Sequence, residues 1–287
     1  MAEIRTQPLN IFDHSRDNAG LIYVYPVISR RAGGVSVGIN LNVNNACNWR
    51  CIYCQVPGLA RGAPPPVDLP VLRAELTGFL HDVLKGDFFA TRVPEGVRRL
   101  NDIALSGNGE PTSAREFEQV IDLIGEIRQQ ASVPQGIKTV LITNGSLMQR
   151  SGVQRGVRKL ASLNGEVWFK LDRATDAGMR KINNTRSAII RVRANLAAAA
   201  RLCPTWIQTC LFAVDGAGPD EAEQEAYVDF LRKCMADRIA LEGVLLYGLA
   251  RRSFQPEAPR LARLPPERLE AYAQRIRALG LAVKVTP

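Results

Sequence analysis

A chain of 287 residues exceeds the usual single domain, but single α/β barrels reach this length and bury about three-quarters of the surface that the unfolded chain exposes. Its composition, 46% hydrophobic and 23% charged, is that of an ordinary globular protein and excludes a disordered chain. A net charge of +9, with a sequence pI near 9.5, favours an anionic partner such as RNA. The basic residues run from Arg30-Arg31 through Arg98-Arg99 and 150–159 to Arg251-Arg252, without interleaved aromatics that would stack bases, so a solvated basic surface explains them as well.

The first residues, MAEIRTQPLNIFDHSRD, have scattered charges and no apolar leader, and no apolar run approaches membrane-spanning length. The expectation is a cytoplasmic protein that makes no membrane contact and keeps its cysteines as thiols. Residues 1–34 read as an N-terminal extension. They include a β-branched and aromatic run, LIYVYPVIS, whose Pro26 excludes a central strand.

Residues 35–287 then alternate. A strand pattern at 35–41 is followed by a cysteine-rich loop and by a helix at 69–84, with Leu72, Leu76, Phe79, Leu80 and Val83 at helical spacing. A strand at 102–106 and a helix at 116–130 come next, then a strand at 138–143 and a basic helix at 153–163. A strand at 167–171 precedes an alanine-rich helix at 189–202 stopped by Pro204. The strand 206–214, helix 222–235 and strand 241–247 follow. Pro266 and Gly280 punctuate a helix at 267–279, and LAVKV closes the chain as a further strand. Six strand-then-helix units with short connections imply a parallel sheet with right-handed crossovers, an incomplete barrel of the TIM type.

The chemistry concentrates in Cys47-Asn-Trp-Arg-Cys51-Ile-Tyr-Cys54, where three of the six cysteines fall within eight residues. Thiolates are soft ligands, and this spacing aims three sulfurs at one region. Positions i, i+4 and i+7 also share a helix face, but Asn44, Asn45, Asn48 and Pro57-Gly58 are loop material. A structural zinc site takes four ligands, and the two histidines, His14 and His81, stand at no useful spacing. A cubane with one open iron fits the count better. After the second strand of the units stands Ser106-Gly107-Asn108-Gly109-Glu110-Pro111-Thr112. Its glycines allow close backbone approach to a ligand, and the Glu110 carboxylate accepts from an ammonium group.

Cys-x3-Cys-x2-Cys, with the aromatic Tyr53 just before the last cysteine, resembles the signature of the radical S-adenosylmethionine superfamily. The resemblance implies a partial (β/α)6 barrel in which Cys47, Cys51 and Cys54 hold a catalytic [4Fe-4S] cluster. S-adenosylmethionine would chelate the fourth iron through its amino and carboxylate groups. Gly-Asn-Gly-Glu is similar to the superfamily's Gly-Gly-Glu motif, so Gly107, Asn108, Gly109 and Glu110 would bind the amino group. Thr143-Asn144-Gly145 resembles its Thr-Asn-Gly, which puts Asn144 in the cofactor set. Lys170 and Asp172 stand where the superfamily often contacts the ribose or carboxylate of the cofactor, and alternation gives them one face. Gln208 and Tyr247 are weaker candidates of the same kind.

The Gly-Asn-Gly-Glu-Pro-Thr and Ile-Thr-Asn-Gly segments look most like the wyosine-synthase-like, tRNA-modifying group. This chain has no cysteine before Cys47 and no flavodoxin domain, two departures from members of that group. The resemblance implies reductive cleavage of S-adenosylmethionine and hydrogen abstraction from a substrate, with RNA kept open by the basic surface. It also implies an electron donor of the flavodoxin or ferredoxin type. A glycyl-radical activating enzyme is the alternative reaction, and a non-catalytic iron–sulfur electron carrier or metal protein the alternative class. Cys203, Cys210 and Cys234 match no tight ligand spacing and read as buried free thiols rather than an auxiliary cluster.

Overall fold

The computed structural model describes residues 8–10, 20–29 and 33–287, so His14 lies outside the described residues. Eight strands form one sheet whose spatial order is the chain order. They are β1 (Val24–Ser29), β2 (Gly34–Ile39), β3 (Leu100–Leu105), β4 (Lys138–Thr143), β5 (Gly165–Lys170), β6 (Thr205–Leu211), β7 (Gly243–Gly248) and β8 (Val283–Thr286). β1 is antiparallel to β2, and every pairing from β2 to β8 is parallel. Parallel neighbours need crossovers. These contain α1 (Leu69–Lys85), α2 (Phe117–Gln130), α3 (Ser151–Ala161), α4 (Asp176–Asn183), α5 (Ile189–Ala200), α6 (Glu221–Ala236) and α7 (Pro266–Arg277). The first and last strands of the sheet do not pair with each other, so the barrel is open, as the six units imply.

The strands form because both faces are covered: every residue of β2 and of β6 is buried, which favours runs such as VSVGI and WIQTCL over strict alternation. The helices begin on side chains that satisfy their first N–H groups. Asp68 accepts from Val71 N at the start of α1, and Asp220 with Glu223 forms a capping box on α6.

β1 occupies an edge, where Pro26 sits opposite Val37. Glu75 of α1 accepts from the backbone N–H groups of Ile22, Tyr23 and Val24 at 2.8, 2.8 and 3.2 Å. Buried Leu9 donates its N–H to the Arg92 carbonyl, so the described part of the N-terminal residues packs against the barrel.

Two differences from the sequence reading bear on the site. α4 was not expected, because its residues DAGMRKIN are mostly polar; Thr175, accepting from Gly178 N, starts it. The strand expected over 206–214 ends at Leu211. Phe212 then turns inward to join Ile52, Tyr53, Ile182, Cys210 and Leu249 in a small apolar cluster under the cysteine loop.

Candidate active site

The loops at the C-terminal ends of β2 to β7 surround a cavity of about 300 Å³, lined by Cys47, Cys51, Cys54, Glu110, Asn144 and Lys170 among others. This end of a parallel barrel is where unpaired strand ends and variable loops converge.

The cysteine loop is held open by backbone and asparagine contacts. Ala46–Cys47 pairs in parallel with Ala60–Arg61, and Asn45 adopts φ 56°, a left-handed conformation that asparagine tolerates. Asn42 Nδ2 donates to the Ala46 carbonyl at 2.8 Å, and Asn45 Nδ2 to that of Pro57 at 3.0 Å. All three cysteines are half-buried and none forms a disulfide. Burial pushes the Cys47 thiol up to about 11 and the Cys51 thiol to about 12, so a metal would displace a proton from each at neutral pH. Among the described residues no three His, Cys, Asp or Glu side chains are grouped to hold a single ion. A cubane makes a different demand, since each thiolate takes a different iron.

Gly107 and Gly109 line the cavity, but the space beside their Cα atoms belongs to the cysteine loop. A Cβ on Gly109 would lie 2.1 Å from the Ala46 carbonyl oxygen and 2.5 Å from Asn42 Nδ2. On Gly107, at φ 134°, it would lie 2.5 Å from Asn40 Oδ1. Both glycines therefore let two loops touch. Asn108 completes the seam, its N–H donating to Asn40 Oδ1 and its Nδ2 to Asn45 Oδ1, at 3.0 and 2.6 Å.

Glu110 is 2% exposed and ties β3 to β4. Its Oε1 accepts from Thr112 N, Thr112 Oγ1 and Thr143 Oγ1, and its Oε2 accepts from Asn144 N at 2.7 Å. Burial pushes its carboxyl upward, against the pull of those donors. Oε2, with a single donor, keeps acceptor capacity toward the cavity. Asn144 Nδ2 reaches Asn48 Oδ1 at 2.8 Å, which joins this motif to the cysteine loop a second time.

Tyr53, Lys170, Gln208 and Tyr247 also line the cavity. Lys170 Nζ donates to Tyr247 Oη at 3.3 Å and stands 5.1 Å from the centre of the Tyr53 ring. Burial works against its charge, but Tyr247, Asp172, Cys51 and Cys210 around it outweigh that, and its pKa lies above the ordinary lysine value. Asp172, expected beside Lys170, does not line the cavity. It lies beyond the end of β5, where strand alternation no longer applies, and accepts from Tyr53 Oη, Asn183 Nδ2 and Cys210 N at 2.5, 2.7 and 2.9 Å. It acts from behind the wall.

The residues that the sequence reading missed are those that grip the loop. Asn183 Nδ2, at the end of α4, donates to Cys51 Sγ at 3.2 Å, and Ile52 N donates to the Ile182 carbonyl at 2.9 Å. After β7, Ser253 Oγ donates to the carbonyls of Ile52 and Cys54, and Gln255 Nε2 to that of Val56. Glu257 receives Arg50 in a bidentate pair at 2.6 and 2.9 Å. Only the Thr175 cap hinted at any of this. Cys203 and Cys234 are buried in the main core, whereas Cys210 joins the cluster under the loop and faces the cavity.

No known family's sequence model matches the chain. A "UPF0026 protein" of Helicobacter pylori is 22% identical over 236 residues, 80% of this chain and 68% of that one. Its namesake in a second strain is 27% identical over 150 residues, 50% of this chain and 41% of that one. Among solved structures, Streptococcus suis SuiB bound to S-adenosylmethionine superposes with a TM-score of 0.52 at 12% identity, over 87% of this chain and 45% of that chain. TYW1 bearing a lysine–pyruvate adduct superposes at 0.57 and 15% identity, over 87% of this chain and 74% of that one. The chain thus spans less than half the length of SuiB. These likenesses bear out the partial-barrel fold expected from the radical S-adenosylmethionine resemblance.

Proposed function

We propose that this chain is a radical S-adenosylmethionine enzyme, with a [4Fe-4S] cluster on Cys47, Cys51 and Cys54 and the cofactor in the cavity beside it. The observation that supports this reading most is that one cavity at the C-terminal ends of the strands is lined by all three thiols, by Glu110 and Asn144, and by Lys170. The donor set fits the group. Three soft thiols ring one space, and the glycine seam keeps both loops close to it.

The chemistry that such a pair supplies is reductive homolysis of the carbon–sulfur bond, giving methionine and, after hydrogen abstraction from the substrate, 5′-deoxyadenosine. This chain's residues would set the stage. The free lone pair on Glu110 Oε2 would accept from the cofactor's ammonium group. The apolar cluster of Ile52, Tyr53, Phe212 and Leu249 would keep water from the loop's inner side. A one-electron donor of the flavodoxin or ferredoxin class would act as partner.

The test is anaerobic reconstitution with iron and sulfide, followed by dithionite and S-adenosylmethionine. 5′-Deoxyadenosine is the expected product on chromatography. Its absence from cluster-loaded protein overturns the enzyme reading in favour of an electron carrier or structural metal protein.

A further inference from the structure

Cys210 is a buried thiol that the proposed cofactor chemistry does not use. It is 1% exposed to solvent, yet it lines the cavity. Gln208, two residues earlier on β6, shares its face of the strand and lines the same wall. Gln208 is 2% exposed, and its Nε2 has no hydrogen-bond partner. A buried amide left so is costly and rare unless a molecule in the lumen satisfies it, so the space beside Cys210 is built to be occupied.

The sulfur also stands near the cysteine loop. Cys210 belongs to the small apolar cluster with Ile52, Tyr53 and Phe212, against which Cys51 packs. In a cavity of about 300 Å³, a molecule held between Cys51 and Gln208 has little room to lie far from it. The surroundings keep the group protonated, since burial pushes its pKa upward and the Asp172 carboxylate adds to this, against the pull of Lys170. Tyr247 Oη accepts from Lys170 Nζ at 3.3 Å and gives its own hydrogen to the sulfur, which leaves the S–H hydrogen to the lumen. A protonated thiol is a poor nucleophile and a poor metal ligand. Its S–H bond is weaker than most C–H bonds, however, and it yields a hydrogen atom readily to a carbon radical.

We propose that Cys210 is the hydrogen-atom donor that ends the radical reaction, returning a hydrogen to the substrate-derived carbon radical. This rests on the radical S-adenosylmethionine reading. The step balances: the S–H bond breaks, a C–H bond forms, and Cys210 is left as a thiyl radical. One electron from the donor of the flavodoxin or ferredoxin class and one proton from solvent then restore the thiol. Each turnover takes two electrons in all, one for the cofactor and one for Cys210. The reaction class is then a rearrangement, fragmentation or ring opening that closes by gaining a hydrogen atom, rather than an oxidation that leaves a double bond.

Uncoupled cleavage tests it, with S-adenosylmethionine as the probe. Cluster-loaded protein is equilibrated in deuterium oxide, freed of added thiols and given dithionite. With no substrate in the lumen, the 5′-deoxyadenosyl radical takes its hydrogen from the cavity wall. Thiol hydrogen exchanges with solvent, whereas carbon-bound hydrogen does not. One deuterium at C5′ of the 5′-deoxyadenosine is expected by mass spectrometry. The deuterated fraction should fall about tenfold or more in Cys210→Ala, which has no such hydrogen to give, and in Cys210→Ser, whose O–H bond is stronger. It should survive Tyr247→Phe, which keeps the thiol. This fraction does not depend on how much product forms, so a loss of stability alone does not move it. Product from the unmodified protein that carries no deuterium overturns the proposal without any variant, and so does deuterium that persists in both Cys210 variants. If cluster-loaded protein forms no 5′-deoxyadenosine at all, the radical reading fails and takes the proposal with it.

Discussion

The side-chain amide of Asn183 stands 3.2 Å from the sulfur of Cys51, across 132 residues of sequence. The same nitrogen lies 2.7 Å from Asp172 Oδ2, so the carboxylate orients the amide and the amide faces the sulfur. Hydrogen bonds to cluster sulfurs raise the reduction potential. Asn183→Ala should therefore leave the cluster in place and move its midpoint potential negative by about 40 mV, the one-electron equivalent of a hydrogen bond worth about 1 kcal/mol. A redox titration followed by electron paramagnetic resonance reads this. An unchanged midpoint would mean that the contact does not persist in the loaded protein.

Glu110 should prove structural as well as functional. Its two oxygens accept from four donors, so Glu110→Gln turns an N–H₂ toward groups that are themselves donors. The expected cost is about 3 kcal/mol in denaturant unfolding of the protein without cofactor. A glutamate that served only to hold a ligand would cost far less.

Gly109→Ala should loosen the seam between the two loops. With Cβ placed 2.1 Å from the Ala46 carbonyl oxygen, backbone must move, at about 1–3 kcal/mol. Iron retention after gel filtration should fall with stability, because the displaced segment is the one that carries Cys47.

The six cysteines should divide cleanly. Cys51→Ala is expected to abolish both the brown colour of reconstituted protein and 5′-deoxyadenosine formation. Cys234→Ala, fully buried in α6, should cost about 1 kcal/mol of stability and leave both intact. Iron analysis should return about four irons per chain, and about eight would require a second cluster.

The repeated units were legible because parallel strands buried on both faces write themselves as unbroken apolar runs, and the helices between them as stripes such as Val120, Ile121, Ile124 and Ile127. The cysteine loop stood out because three thiols fall within eight residues, and all three line one cavity. What sequence could not show was contact between distant single residues. Asn183, Ser253 and Gln255 belong to no spacing pattern, and each is defined only by the carbonyl or sulfur that it meets. The same limit applies to Gly107 and Gly109. Their need for open space was readable, but whether a ligand or another loop fills it was not. Asp172 was misplaced for a simpler reason, since the rule of alternating faces ends where β5 ends.

The clamp from the β7 loop also bears on the order of assembly. Ser253 and Gln255 hold carbonyls of the cysteine loop from about 200 residues downstream, and Glu257 reaches Arg50 across 207. During synthesis the thiols leave the ribosome well before the segment that completes their setting, since Ser253 follows Ile52 by 201 residues. A nascent chain released before residue 253 would expose three cysteines in an unfinished loop, open to oxidation and to stray zinc. If the loop takes a cluster as proposed, the cluster should enter after Ser253 and Gln255 have closed on it.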